Sequence, residues 1–215
     1  MPIRPVTLSL ALTLALPMPA LAEPAFAPGK YGEPFVVQGL VQGCMAEEEG
    51  EFCVVNAEGW RWIIDATGPT PPELYRLLTV LPVNAPVGMT GDMIEMGDVT
   101  VVTAVSDLTA GRDPHARLRA LMQGAWTFGS GEQIVQIDGS EWSQTVDGEL
   151  QSASLLQLRD DCGDGEAQTG TVITLAMMGG DPEQVRCYGV LEATLDLLVL
   201  RDTAGEGDLM MTRLP

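Results

Sequence analysis

Short β-rich segments, cut apart at near-regular intervals by Gly, Asp and Ser, leave this chain few folds to choose from. In its second half, apolar and β-branched runs cover 132–138, 141–146, 152–159, 171–177, 184–190, 193–201 and 208–213. Between them lie Asp138-Gly139-Ser140, Asp147-Gly148-Glu149, Gly179-Gly180-Asp181-Pro182 and Gly205-Glu206-Gly207. Such runs are too short for stable helices, and their separators tolerate the tight backbone of hairpin turns. With a short strand at Trp126 the runs number eight. Successive hairpins of this kind predict an up-and-down antiparallel barrel, which removes exposed sheet edges by closing on itself. A short helix over 114–122, with Leu118, Leu121 and Met122 on one stripe, precedes it.

The first half has a different order. Phe35–Val41 and Phe52–Val55 read as strands, with a Glu-rich tip at 47–51 between them. Asn56-Ala57-Glu58-Gly59 is a tight turn into a third strand, Trp60–Asp65, whose alternation places Trp60, Trp62 and Ile64 on one face. Thr70-Pro71-Pro72-Glu73 opens a helix: Thr70 is the expected cap, the prolines suit the first turn, and Leu74, Leu77, Leu78 and Leu81 recur at helical spacing. Strands over 86–91 and 98–105 complete a β-β-β-α-β-β order.

The N-terminus reads as a secretory signal over residues 1–22. Arg4 supplies the positive charge, an apolar run follows, and Ala20-Leu21-Ala22 gives a cleavage site. The apolar run is shorter than the roughly 20 residues that span a bilayer, which predicts no stable membrane anchor. Glu23, rather than Cys, follows the cleavage point, so lipidation is not expected. A soluble periplasmic product in an oxidising compartment would hold its four cysteines as two disulfides. Of the three possible pairings, Cys44–Cys53 and Cys162–Cys187 each close a short loop and are preferred. An extended arm over 23–33, a first domain over 34–106, a linker over 107–114 and a second domain over 115–215 are the expected boundaries.

Charge narrows the partners. With 11 Lys+Arg against 30 Asp+Glu, the chain carries a net charge of -19. Residues 23–110 hold 13 acidic and 3 basic residues, residues 111–215 hold 17 and 7, and each part is therefore at -10 before Arg4 is added. An acidic surface spread over both halves opposes nucleic acid, whose phosphates require clustered cations. It also opposes anionic membrane.

The element order of the first half resembles an OB-fold, a five-stranded barrel with a helix between its third and fourth strands. That family binds ligands on the face of strands two and three. Two readings of Trp60 and Trp62 follow: a stacking platform for a ligand such as a glycan, or the lining of the barrel core. The second half resembles a small bacterial lipocalin-like (calycin) barrel. The residues that carry this likeness are Gly124-Ala125-Trp126 on the first strand and Arg213 on the last. The resemblance implies that Trp126 plugs one end and Arg213 stacks across it, a cation–π arrangement. The segment is shorter than a ligand-carrying lipocalin and lacks the family's T-D-Y motif, so its interior is expected to be filled by side chains. The fold class predicted is therefore mainly all-β, an OB-like barrel followed by a lipocalin-like barrel.

No catalytic constellation stands out. The serines lack the G-x-S-x-G turn of hydrolases, and the one imidazole, His115, is expected at the surface. Asp160-Asp161-Cys162-Gly163-Asp164-Gly165-Glu166 departs from calcium-loop spacing, so no metal or other cofactor is expected. The adjacent pairs Met177-Met178 and Met210-Met211 read as half core and half rim. The function expected is a non-enzymatic binding or envelope-accessory role toward another envelope protein, inhibitor-like or stress-related. The alternatives are a small-ligand or glycan carrier using Trp60/Trp62 or the second barrel, and a hydrolase with an unrecognised carboxylate site.

Overall fold

The structure is a computed structural model that describes residues 24–48, 50–129, 131–162, 170–178, 185–205 and 207–215. The signal segment 1–22, the Gly163-Asp164-Gly165-Glu166 part of the acidic turn and the Gly179-Gly180-Asp181-Pro182 turn lie outside the described residues. The fold is mainly β. The first unit runs β1 (Glu33–Glu47), β2 (Gly50–Ala57), β3 (Trp60–Asp65), α1 (Pro72–Val80), β4 (Pro86–Met96) and β5 (Thr100–Ala110). Its strands close in the order β1-β2-β3-β5-β4, with β3 and β5 parallel and the other pairs antiparallel. The second unit runs α2 (Ala116–Met122), β6 (Gly124–Phe128), β7 (Gln133–Asp138), β8 (Glu141–Val146), β9 (Glu149–Arg159), β10 (Val172–Met177), β11 (Val185–Ala193), β12 (Leu197–Asp202) and β13 (Asp208–Arg213). These eight strands form a closed antiparallel barrel in which β13 returns to β6.

Alternation fills each barrel. In the first, Val41, Val55, Trp62, Ile64, Met89 and Val105 are buried together, and α1 covers them with Tyr75 and Leu78. Leu77, placed on the helical stripe by spacing alone, is exposed instead. Thr70 does not cap α1: the cap position is Pro71, and the buried Thr70 Oγ1 accepts the Val105 N–H at 2.9 Å. The bond satisfies a backbone donor buried beside the helix start.

The boundary near 107 moves. β5 continues to Ala110, with Leu108 buried opposite Met89, so 107–110 belong to the first barrel rather than to a linker. In the second barrel, the run expected over 193–201 is broken by a turn. Thr194 Oγ1 accepts the Leu197 N–H at 3.0 Å, and β12 starts only there. Cys44 is bonded to Cys53 directly across the β1–β2 pair, and Cys162 to Cys187 across 25 residues. Disulfides of this kind suit an oxidising environment. Among the described residues no helix is long and apolar enough to cross a membrane.

The barrels meet through a polar contact. Arg61 on β3 donates two hydrogen bonds to Glu141 on β8, at 2.8 and 2.6 Å. Asn56 donates to Ser140 Oγ at 3.0 Å, and Gln42 donates to the Asp138 carbonyl at 3.0 Å. The Glu141 carboxylate raises the Arg61 guanidinium above its ordinary value through this bond.

The arm before β1 is held by one acid. Asp92 is fully buried on β4, where its carboxylate accepts the N–H groups of Gly29 at 2.7 Å and Tyr31 at 2.8 Å. Phe26, also buried, meets Tyr31 edge-on. Burial raises the Asp92 pKa, but hydrogen bonds from the backbone of Tyr31, Gly29, Lys30 and Gly32 outweigh it, and the net direction is downward. A folded value below the unfolded one stabilises the protein above the ordinary carboxylate pKa of about 3.9. That contribution is lost as pH falls through the lower folded value. In Asp92→Asn the melting midpoint is expected to fall at neutral pH and to depend less on pH on the acid side than in the wild type. Thermal melts across acid pH check this.

Candidate functional site

The second barrel is built from a sealed floor upward. Trp126 is fully buried, and its indole N–H donates to the Met122 carbonyl at 2.7 Å. The Arg213 guanidinium lies 4.3 Å from the Trp126 ring centroid. Its Nη2 donates to the Leu121 carbonyl at 2.6 Å, Nη1 to the Gln123 carbonyl and Nε to the Leu195 carbonyl. The guanidinium therefore satisfies carbonyls at the C-terminal end of α2, where helices leave acceptors open and favour positive charge. Gly124 has φ +112, and a Cβ there would lie 2.5 Å from Arg213 Nη1. The glycine of Gly124-Ala125-Trp126 thus leaves room for the cation on the ring.

Above the floor, the inward columns stay apolar for two layers and then change. Ile137 and Val135 are followed by Gln133 on β7, and Trp142 by Gln144 on β8. Leu158 and Leu156 are followed by Ser154 and Ser152 on β9. Tyr188 is followed by Arg186 on β11, and Leu198 and Leu200 by Asp202 on β12. The polar positions all fall at the end of the barrel carrying the β6–β7, β8–β9, β10–β11 and β12–β13 connections, opposite the Trp126 floor. There the interior is a cup of about 550 Å³. This corrects the expectation of a barrel filled by side chains. The lower layers are filled by apolar side chains, and the cup lies above them.

The other positions singled out in the sequence are placed elsewhere. Trp62 is buried in the first core, its indole N–H donating to the Ala57 carbonyl at 3.1 Å and its ring centroid 4.6 Å from that of Phe35. Trp60 is half-buried and packs on the same core. Burial removes Trp62 from any open platform on β3. His115 is half-buried, not at the surface, 3.7 Å from Asp160. Ser140 is buried and engaged by Asn56 and Gln42. Met211 is buried while Met210 is exposed, as strand alternation requires. Among the described residues no group of three or more His, Cys, Asp or Glu side chains could hold a metal ion. The cup residues were missed by sequence reasoning, although one signal was present. On five strands, alternate positions turn from apolar to polar at the end nearest the same set of turns.

No protein family profile matches the chain, and no curated protein matches it. Among solved structures, the chain is similar to a crystal structure from Leishmania major Friedlin assigned as an aspartyl-tRNA synthetase. The likeness has 8% identity and a TM-score of 0.29, and it covers 46% of this chain and 22% of that one. This chain therefore spans under a quarter of that protein's length, and so slight a likeness carries no argument.

Replacing Arg213 by Met leaves the Leu121 and Gln123 carbonyls without their donor. Both bonds are part-buried, so together their loss costs about 1–3 kcal/mol. Arg213→Met is expected to lower unfolding free energy by that order in a denaturant titration while the far-ultraviolet spectrum stays β-rich.

Proposed function

We propose that this chain is an exported, non-enzymatic carrier of a small molecule, held in the cup of the second barrel. The single observation that carries the reading is that cup: about 550 Å³, lined by apolar Trp142, Leu175, Tyr188 and Leu209 and by polar Gln133, Gln144, Ser152 and Ser154. Cavities of roughly 300–1,000 Å³ with apolar linings and a few placed polar groups are the usual form of small-molecule sites. Two disulfides and the signal-like N-terminus support a periplasmic destination. The first barrel is proposed as an OB-fold, supported by its β1-β2-β3-β5-β4 closure and by α1 between β3 and β4. The second is proposed as a calycin, supported by the Arg213–Trp126 stack over Gly124.

A partner protein is the second reading. It rests on a different surface, where Leu77 and Val80 on α1 and the following Val83 are exposed together. Capture of an envelope protein that is lost in Val80→Asp would favour that surface over the cup.

The cup is tested with a neutral naphthylamine dye whose emission rises in apolar surroundings. Wild-type protein is expected to enhance the emission saturably. Ser154→Trp, which fills the cup from β9, is expected to weaken dye affinity at least about tenfold, or 1.4 kcal/mol, with the β-rich far-ultraviolet spectrum of the folded protein retained. Equal binding by a folded Ser154→Trp protein would overturn the reading.

A further inference from the structure

We infer that the cup takes an uncharged amphiphile with a hydroxyl-bearing head, such as a short alkyl glycoside, rather than a fatty-acid anion or an alkylammonium cation. The inference rests on the carrier reading above and specifies its ligand class.

The first observation is the placement of polarity. Gln133, Gln144, Ser152 and Ser154 line the wall of β7, β8 and β9, and Phe128, Leu175, Met177, Val185 and Leu209 line the wall of β6, β10, β11 and β13. A ligand that matches both walls has an apolar part and a polar part. A wholly apolar ligand would displace water from two amides and two hydroxyls without replacing their hydrogen bonds.

The second observation is the balance of charge. Among the described lining residues there are one cation, Arg186, and two carboxylates, Asp202 and Asp208. Asp208 is paired with Arg201 just outside the lining, at 2.9 and 3.1 Å. Two arginines thus stand against two acids, and the described lining offers no surplus charge of either sign. An ionic head entering it would lose water without gaining a counter-charge of its own. The net charge of -19, spread over both halves, further opposes an anion approaching from solution.

Neutral side chains of this kind suit hydroxyl groups. Each glutamine amide presents an acceptor oxygen and two donor hydrogens, and each serine donates one hydrogen and accepts through its lone pairs. Gln144 faces Ser152 across the β8–β9 pair. Donors and acceptors are therefore adjacent on one wall, the pattern that pairs with neighbouring hydroxyls, each of which both donates and accepts.

The test is displacement of the naphthylamine dye from the full-length secreted protein by octyl glucoside, octanoate and octylammonium, each kept below its micelle concentration. Octyl glucoside is expected to displace at least about tenfold better than either ion. In Gln144→Leu that advantage is expected to shrink about fivefold or more, as loss of one hydrogen bond of about 1 kcal/mol requires, with each competitor's affinity referred to the variant's own dye affinity. If octanoate or octylammonium matches the glucoside on a protein that binds the dye, the ligand class is overturned and the carrier reading stands. If neither dye nor amphiphile binds the folded protein, the carrier reading falls and the class with it.

Discussion

The second barrel depends on a single guanidinium resting on an indole. An eight-stranded barrel is narrow enough for side chains to fill, and a cavity within it needs a sound seal at one end. Arg213 supplies the seal by closing three gaps together. It covers the face of Trp126, takes up carbonyls left open at the end of α2, and fixes Leu195 in the turn before β12. Because α2, β6, β12 and β13 are tied at that point, packing is concentrated in the lower layers, where Trp126, Ile173, Leu198 and Met211 are all fully buried. Among the described residues, the opposite end has no such stack.

The first barrel has a different part. Its apolar interior is closed by α1 and takes in Trp62, so its largest aromatic on β3 is committed to stability. What it presents to the second barrel is polar and directional. The forked Arg61–Glu141 bond and the Asn56–Ser140 contact fix one orientation, since neither survives rotation of one barrel against the other. Partly exposed ion pairs add little stability; their value here is in registering the two units. These contacts use the outer face of β8 and the β7–β8 turn, leaving the inner columns of the second barrel to line the cup.

Much of this architecture is legible in the sequence because it rests on local signals. Turn residues divide the strands, alternation separates Met210 from Met211, and short loop closure selects Cys44–Cys53 and Cys162–Cys187 from the possible pairings. What sequence reasoning misses is set by partners far along the chain. Asp92 sits in an apolar strand, and its role is fixed by backbone donors about sixty residues earlier. Thr70 has a helix cap's position and a strand's partner. The cup required the inward columns of eight strands to be compared at once, and each column taken singly reads as an ordinary strand with a polar end. A short barrel need not be a full one, because its length does not decide how its side chains are distributed between floor and mouth.

The central claim is that the lumen above Trp126 receives a ligand's tail, and nuclear Overhauser contacts from a bound neutral amphiphile test it most directly. The account predicts cross-peaks from the tail protons to the rings of Trp142 and Tyr188, with none to the indole of Trp62. Contacts confined to Trp60 or to the exposed end of α1, in a protein whose Trp142 and Tyr188 signals do not move on titration, would contradict it.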